Sequence, residues 1–403
     1  MRMPLLPRRW ADTLPHAWKR IARDTAPLAL TAPSVVAEFE EHVARFVGVP
    51  SAAALASGRQ GMRLILEHLG VGPGHEVIVP AYTLKDLIPL VQGTGAAVIP
   101  ADVDLRTLNV TPESVRARYS PKTRAVIVLH AFGNPAPVDA IVAEADARGV
   151  AVVEDCAHSL GATLNGRQTG SFGYAGFYSF EPTKPVNTYG GGMVVSHDPD
   201  LIRFIREKTA NCRYDPSVFL QKAAAARKER LMMRSAMAWP VLALMSFPAV
   251  KDWVSRAYRS RQSVPSGDLR YTAMQAVLGT LKLETLPARL ARRRALAELL
   301  RSRLRPEIRL QEVLDGADAA WYFCVALLPR RAAPVRTRLL LRHWVDAAVE
   351  DEIADECARY LNRADCPNVV DLYPHALAVP FFDGITEAQI ARVARALNAA
   401  AVR

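Results

Sequence analysis

Cysteine is scarce in this sequence. Its 403 residues include five cysteines, an odd number, and no two of them form a CxxC pair. A disulfide framework and a cysteine-based zinc site are therefore not expected, and the protein should work in a reducing compartment. The first 23 residues also lack the continuous apolar core of a signal peptide, so we expect a cytoplasmic location.

Acidic residues are fewer than basic ones, and the imbalance is local. Lys and Arg number 51 against 40 Asp and Glu, a net charge of +11. Residues 1–30 contribute +4 (six basic, two acidic) and residues 222–261 contribute +7 (nine basic, two acidic), which together account for the whole +11. The rest of the chain is net neutral, so these two segments should matter for partners. No folded nucleic-acid module accompanies them, and we expect no nucleic-acid partner.

A long hydrophobic run is missing as well. Residues 235–250 contain no charge, but these sixteen residues are fewer than the ~20 that one membrane-spanning helix needs. Pro240 and Pro248 are predicted to break a helix there. Two interpretations stay open, a hairpin lying in a membrane interface beside Trp239 and Trp253, or an insertion buried at a subunit contact.

The basic arm, residues 1–30, is open to a similar pair of interpretations. It is either an extension packed on the body of the protein or an anchor on an anionic membrane surface. The second interpretation, together with the basic segment 222–261, predicts a protein that is peripheral on the inner face of a membrane.

Apolar residues, by contrast, are abundant and regularly arranged. Half of the chain is hydrophobic, enough for two packed domains. Strand-like and helical segments alternate from about residue 76 to residue 153, which is typical of a mostly parallel sheet with crossover helices. The predicted fold class is therefore α/β.

The stretch from Val150 to Val195 contains two candidate catalytic residues, Asp155 and Lys184. Asp155 stands where the apolar strand beginning at Val150 should end, and Lys184 follows a second short strand. Ligands bind at the carboxyl ends of strands in open α/β sheets, so the two side chains should face one crevice. An acid and an amine so placed suit pyridoxal phosphate, whose aldehyde forms a Schiff base with a lysine. On spacing alone, a helix-capping Asp155 and a solvated Lys184 are an equally good interpretation.

Several ordered motifs resemble those of a known family. They are SGRQGMRLIL, EVIVPAYTL, TRAVIVLHAFGNPAPVDAI, EDCAHSLGAT, GSFGYAGFYSF, PTK, GGGMVV and MQAVLGTLKLETL. The chain resembles the DegT/DnrJ-type sugar aminotransferases, fold-type I enzymes that depend on pyridoxal phosphate. The resemblance implies a large domain with a seven-stranded, mostly parallel sheet at residues 31–265, interrupted by an insertion at about 214–265. A small α/β domain would follow at residues 266–403.

The resemblance also implies a set of site residues. Lys184 would carry the cofactor, Asp155 would hold its ring nitrogen protonated, and His158 would contact its ring or phenolic oxygen. The full set of catalytic and cofactor-binding residues is Gly58, Arg59, Gln60, Leu84, Asp155, His158, Ser179 and Lys184, with no metal. His130 lies near these motifs, and a core role is expected for it.

Five positions depart from the family pattern. Arg59-Gln60 replaces the usual Thr-Ala, and Leu84 replaces an aromatic that stacks on the ring. Glu181 stands where an aromatic or histidine is common. Asp268 replaces an asparagine that reaches the partner subunit, where a carboxylate beside a phosphate would be repelled.

The function that the resemblance implies is transamination. The donor is expected to be glutamate and the acceptor a keto-sugar, nucleotide-linked or lipid-linked at a membrane, in a homodimer with ping-pong kinetics. Two alternatives remain: a pyridoxamine-phosphate-dependent dehydratase of the same family, and a non-catalytic membrane-associated binding protein on the same fold. Lys184 disfavours the dehydratase, because that branch has histidine there.

Overall fold

The central feature is a seven-stranded sheet. The structure is a computed structural model that describes residues 5–10, 33–235, 237–245, 268–363 and 365–401. In chain order the strands are β1 Ser51–Leu55, β2 Glu76–Pro80, β3 Tyr82–Thr83, β4 Ala97–Ala101, β5 Thr123–Leu129, β6 Ala151–Asp155, β7 Thr163–Leu164, β8 Arg167–Gln168, β9 Ala175–Ser179, β10 Gly192–Ser196, β11 Arg309–Leu310, β12 Ala317–Asp318, β13 Cys324–Leu327, β14 Ala348–Val349, β15 Asp355–Glu356 and β16 Ala376–Val379.

The helices cover both faces of this sheet and build a second unit. They are α1 Pro33–Val47, α2 Gly58–His68, α3 Ile88–Gln92, α4 Pro112–Arg116, α5 Val138–Asp146, α6 Pro199–Thr209, α7 Pro216–Arg234, α8 Ala238–Met245, α9 Ala273–Arg301, α10 Ala332–His343, α11 Cys357–Tyr360, α12 Pro367–Leu372 and α13 Glu387–Ala401. Short 3-10 turns lie at Lys85–Leu87, Ala131–Gly133 and Glu350–Glu352.

The order of the seven strands is β1-β10-β9-β6-β5-β2-β4. Strands β4, β2, β5, β6 and β9 run parallel to one another. Strand β10 runs antiparallel to both of its neighbours, β9 and β1. The parallel strands are apolar on both faces, because helices cover each side. The predicted α/β fold with a mostly parallel seven-stranded sheet is confirmed.

The second unit is a four-stranded antiparallel sheet with helices α10 and α13 packed on it. Its strand order is β11-β13-β16-β14, and its core includes Val335, Leu339, Ile390 and Leu397. The division of the chain at residue 265 remains a prediction, since that position lies outside the described residues.

Helix α9 packs against both α1 and α13. It begins after Thr272, whose hydroxyl accepts the Gln275 N–H in a capping box, and it continues through Pro287. At Gly279 a side chain would collide with the Phe39 ring, so the glycine permits the close approach of α1.

Residues 5–10 of the basic arm pack on the second unit. The Leu6 N–H donates to the Trp344 carbonyl (2.9 Å), and the Asp346 N–H donates to the Leu6 carbonyl (2.9 Å). Arg8 forms ion pairs with Asp346 (3.6 Å) and Glu352 (3.0 Å). This part of the arm is therefore an extension packed on the body. The arm's other residues, 1–4 and 11–30, lie outside the described residues.

The insertion contains helices α7 and α8. As predicted, no continuous helix runs from α7 through Pro240, because α7 ends at Arg234 and α8 begins at Ala238. Pro240 lies in the first turn of α8, where a missing N–H removes no intrahelical bond. Residues 246–267, with Pro248 and Trp253, lie outside the described residues. Within the described part of the chain, no helix combines the length and hydrophobicity needed to cross a bilayer.

Candidate active site

Asp155 is the last residue of β6 and is buried at the carboxyl end of the sheet. Its side chain is 4% exposed, and one carboxylate oxygen accepts the Ala157 N–H at 3.0 Å. Burial raises the pKa of this carboxyl to about 6, against the opposing effects of the Ala157 N–H and the charges of Lys184 and His130. A buried acid of this kind gains from a cationic group placed against it.

His158 lies three residues further along the chain. It is buried, and its ring is stacked on the Tyr322 ring with centroids 4.3 Å apart and planes at 18°. Burial, with the nearby charge of Lys184, lowers the pKa of His158 well below its usual value, so the ring is neutral. Its Nδ1 atom has no hydrogen-bond partner among the described residues.

Lys184 follows β9 in the loop that leads to β10. Its Nζ lies 4.4 Å from the centroid of the Tyr322 ring, a cation–π contact. The Tyr322 hydroxyl is 2.8 Å from the Thr183 hydroxyl, so the same ring is tied to the lysine loop. Lys184 and His158 thus contact the same aromatic ring, and Asp155 is close enough for the lysine charge to lower its pKa.

Tyr322 is not among the site residues predicted from the sequence. It comes from the segment just before β13, in the second unit, and stands in the run Trp321-Tyr-Phe323, which reads as core. Main-chain bonds position it, because the Tyr322 N–H donates to the Phe132 carbonyl (2.8 Å) and the Ala320 N–H donates to the Gly133 carbonyl (2.7 Å). The site is therefore closed by residues from both units.

The N-terminus of α2 forms another wall beside the ends of β9 and β10. Ser57 caps the helix, its hydroxyl accepting the Gln60 N–H at 3.1 Å. Ser179 ends β9 and pairs with Gly192 of β10. A side chain on Gly192 would lie 2.7 Å from the Tyr178 carbonyl oxygen and would also collide with the backbone of Gly58. Two glycines thus bring the strand ends against the helix start, where backbone N–H groups favour an anion.

The side chains of Arg59 and Gln60 bind neighbouring residues of the protein. The Arg59 guanidinium pairs with Asp86 at 3.2 Å on the surface. The Gln60 side-chain oxygen accepts the Ala56 N–H at 3.0 Å, so this side chain reinforces the helix cap. Any contribution of these residues to an anion site is therefore made by their main chain.

The other positions that depart from the family pattern also have local partners. Glu181 accepts a hydrogen bond from Lys222 of α7 at 2.9 Å, and Asp268 pairs with Arg213 at 2.9 Å. Leu84 starts the turn after β3 and is 43% exposed. Asp268 and Glu181 are thus each paired with a basic residue of their own chain.

His130 is buried behind the site, as expected of a core histidine. Its Nδ1 accepts the Ala136 N–H (3.1 Å), so its Nε2 carries the proton and donates to Glu154 (3.0 Å). Glu154 in turn accepts N–H bonds from Gly170, Phe172 and Gly173 (2.7–2.8 Å). This pair fixes two loops, one of which carries the Phe132 and Gly133 carbonyls that hold the Tyr322 segment.

Comparison with solved structures identifies the class of fold. An aminotransferase, TlmJ, from Streptoalloteichus hindustanus matches with a TM-score of 0.79 at 22% identity over 98% of both chains. DesV from S. venezuelae, solved in complex with a ketimine intermediate, matches with a TM-score of 0.76 at 26% identity, covering 98% of this chain and 99% of that one. The fold is that of the fold-type I aminotransferases.

The chain belongs to the DegT/DnrJ/EryC1/StrS aminotransferase family, whose model matches residues 29–398. The predicted family is therefore confirmed. Spore coat polysaccharide biosynthesis protein SpsC from Bacillus subtilis is 27% identical over 377 residues, 90% of this chain and 88% of that protein.

Two further relatives are more similar over shorter stretches. One, from Acidithiobacillus ferrooxidans, is named UDP-N-acetyl-3-dehydro-alpha-D-glucosamine 3-aminotransferase and is 41% identical over 168 residues, 41% of this chain and 46% of that protein. The other, from Pseudomonas aeruginosa, is named UDP-2-acetamido-2-deoxy-3-oxo-D-glucuronate aminotransferase and is 36% identical over 173 residues, 43% of this chain and 48% of that protein. The matched part spans a little under half the length of each of these two relatives.

Proposed function

We propose that this protein is a pyridoxal-phosphate-dependent aminotransferase that aminates a nucleotide-linked keto-sugar. The observation that carries the proposal is the meeting of Lys184 with buried Asp155 and neutral His158 beneath Tyr322. A lysine solvated in a loop, or an aspartate that only caps a helix, would not be gathered with a buried histidine in this way.

The residues present fit the cofactor at both of its polar ends. Pyridoxal phosphate carries a phosphate, which suits the N–H groups at the start of α2, beside Ser57, Gly58 and Ser179. Its protonated ring nitrogen suits the buried Asp155 carboxyl, because burial raises the pKa of that carboxyl and a cation beside it would favour the charged form. The Nδ1 of His158 is a buried polar atom without a partner among the described residues, as expected of a group that contacts a bound ligand.

Each side chain has a defined task in this proposal. When bound, pyridoxal phosphate supplies an aldehyde for the amino group and a ring that accepts electrons. Asp155 keeps the ring nitrogen protonated, because its own charge is poorly solvated and a proton on the nitrogen balances it. Lys184 would hold the cofactor through its Nζ, and the same amine, when free, would accept a proton from the donor α-carbon and donate it to the cofactor carbon. His158 stays neutral and orients the ring.

The acceptor is assigned from the relatives. Two relatives at 41% and 36% identity are named for UDP-sugars with a keto group at carbon 3. A UDP-linked 3-keto-sugar is therefore the acceptor to test first, with glutamate as the donor. We further propose a homodimer, because Arg270 to Leu286 resembles the family segment that lies near the partner's site.

Absorption spectra test the proposal directly. Wild type and Lys184→Ala are purified and scanned in the visible range with and without pyridoxal phosphate, then after addition of glutamate. Wild type should show a cofactor band that glutamate bleaches, and Lys184→Ala should bind the cofactor without that covalent band. Lys122→Ala, a surface lysine, is the matched control and should behave as wild type.

The alternatives give different spectra. If wild type takes up no cofactor, the binding-protein alternative replaces the enzyme. If the cofactor binds and glutamate leaves its band unchanged, glutamate is not the donor and other amino acids are tried. A dimer is checked by light scattering, and a monomer with full transamination activity would contradict the shared site.

A further inference from the structure

Exposed apolar side chains are concentrated on one surface of the protein. Ten large hydrophobic side chains are exposed in the described part of the chain, and six of them lie on the C-terminal end of α7, on α8, in the turn between these helices and at the adjacent end of α10. They are Leu231 (61% exposed), Met232 (46%), Met237 (63%), Val241 (37%), Leu244 (58%) and Leu341 (43%). We call this set the α7–α8 surface. Such a concentration is typical of an interaction site.

The packing of α8 explains why these side chains point outward. The Trp239 indole donates to the Leu340 carbonyl (3.1 Å) and stacks on Trp344 with centroids 4.9 Å apart. With Trp239 held inward, Met237, Val241 and Leu244 share the opposite face at spacings of four and three residues. These side chains cannot turn into the core without breaking the tryptophan contacts.

Helix α7 adds positive charge to the same surface. It buries Phe219, Ala223 and Ala226 at spacings of four and three residues, so its other face is outward. Arg227, Lys228 and Arg234 are exposed and lie near Leu231 and Met232 in the sequence. Glu229 is the single acid in α7.

We propose that the α7–α8 surface docks on an anionic lipid surface, with the apolar side chains entering the interface and the cations meeting lipid phosphates. The charge favours lipid over a second copy of this chain, because a two-fold contact of the surface with itself would bring together two patches that both carry Arg227, Lys228 and Arg234. The sequence is consistent with this occupant, since residues 235–250 contain no charge and residues 222–261 carry +7. Docking is independent of the reaction proposed above.

Vesicle sedimentation of the full chain tests the proposal. Vesicles of phosphatidylglycerol and phosphatidylcholine are compared with vesicles of phosphatidylcholine alone. Wild type should sediment with the anionic vesicles and be released by salt, because the cations are screened. The double variant Met237→Asp/Leu244→Asp should partition at least about tenfold more weakly, since two apolar contacts are lost and two negative charges are added.

Matched control variants show whether a change in vesicle binding is specific to the α7–α8 surface. Val370→Asp/Tyr360→Asp changes two hydrophobic residues of similar exposure outside the surface and should partition like wild type. Arg227→Ala/Lys228→Ala should weaken binding to anionic vesicles about tenfold or more, whereas Arg303→Ala/Arg305→Ala, also exposed, should have little effect. An unchanged circular dichroism spectrum shows that each variant is folded.

Three results would overturn the proposal. Wild type that stays in solution with anionic vesicles has no lipid-docking surface. Equal partition of wild type and Met237→Asp/Leu244→Asp would place the contact elsewhere on the chain. A change of oligomeric state in that double variant, seen by light scattering without vesicles, would make the surface an interface between copies of this chain.

Discussion

The two ends of the candidate site are built from different parts of the chain. At the start of α2, the wall is main chain, brought together by Gly58 and Gly192. At Lys184, the wall is made of side chains, each buried or stacked on another. A main-chain wall tolerates changes of side chain, which explains how Arg59 and Gln60 can replace the usual residues while their side chains pair with neighbours. A wall of side chains has no such tolerance.

Asp155→Asn should give the largest effect, because it removes the charge at the side-chain end and preserves the shape. We expect kcat/KM to fall by about 10²–10³-fold, the usual loss when one electrostatic group of an active site is removed. The matched control is Asp86→Asn, an exposed residue paired with Arg59, which should retain activity. A loss of less than about fivefold in Asp155→Asn would show that the side-chain end does not depend on this carboxylate.

The same carboxyl predicts a pH dependence of stability in the cofactor-free protein. The pKa of Asp155 is raised from 3.8 to about 6, so the folded state holds the proton more tightly than the unfolded state. The proton on Asp155 therefore contributes fully to the unfolding free energy below about pH 4. This contribution, up to about 3 kcal/mol, is lost as the pH rises through 6. Urea unfolding should show wild type losing stability relative to Asp155→Asn between about pH 4 and 7. Parallel pH curves for the two proteins would contradict the raised pKa.

Gly192→Ala tests the main-chain end. The new methyl group would lie 2.7 Å from the Tyr178 carbonyl oxygen and against the backbone of Gly58, so β10 must move away from α2. We expect a loss of about 1–3 kcal/mol in unfolding free energy, with weaker retention of pyridoxal phosphate on dialysis. Gly72→Ala is the control, since its nearest neighbour is 3.8 Å away. Equal stability of the two variants would mean that the strand and helix are not in close contact.

Tyr322→Phe distinguishes the role of the Tyr322 ring from the role of its hydroxyl group. The ring would still cover His158 and Lys184, and the 2.8 Å contact with Thr183 would be lost. The expected cost is about 0.5–1.5 kcal/mol of unfolding free energy, with kcat within about tenfold of wild type. Tyr322→Leu, which removes the ring, should lower kcat further than Tyr322→Phe. Equal kinetics of the two variants would leave the ring without a role in the site.

Glu181→Gln should give the smallest effect. Glu181 and Lys222 are both 31% exposed as side chains, and a pair of this kind contributes about 0.2–1 kcal/mol. We expect a slightly lower thermal midpoint and unchanged kcat/KM. Lys222→Gln should match it in stability, because the two substitutions break the same pair. A loss of activity near that of Asp155→Asn would instead place Glu181 against the substrate.

The sequence predicts the sheet well, because local signals and burial agree there. The run Glu76–Pro80 is a strand with the expected bounds, and the strands at Ala151–Asp155 and Gly192–Ser196 agree within a few residues. The start of α2 is also predictable, since Ser57 is a good N-cap before a periodic apolar pattern.

The sequence fails where contacts are distant along the chain. Tyr322 lies 138 residues after Lys184, and nothing local distinguishes an aromatic of the site from an aromatic of the core. The partners of Arg59, Glu181 and Asp268 are ion pairs made by folding, which no spacing rule identifies.

The place of β1 in the sheet has a consequence for synthesis on the ribosome. β1 is an edge strand whose neighbour is β10, and β10 ends about 140 residues later in the chain. Translation at about 5–20 residues per second separates the two strands by roughly seven to thirty seconds. During this interval, the nascent Ser51–Leu55 segment and the turn between it and α2 have no native sheet partner. Chaperones that recognise apolar segments should therefore contact this part of the chain until β10 emerges.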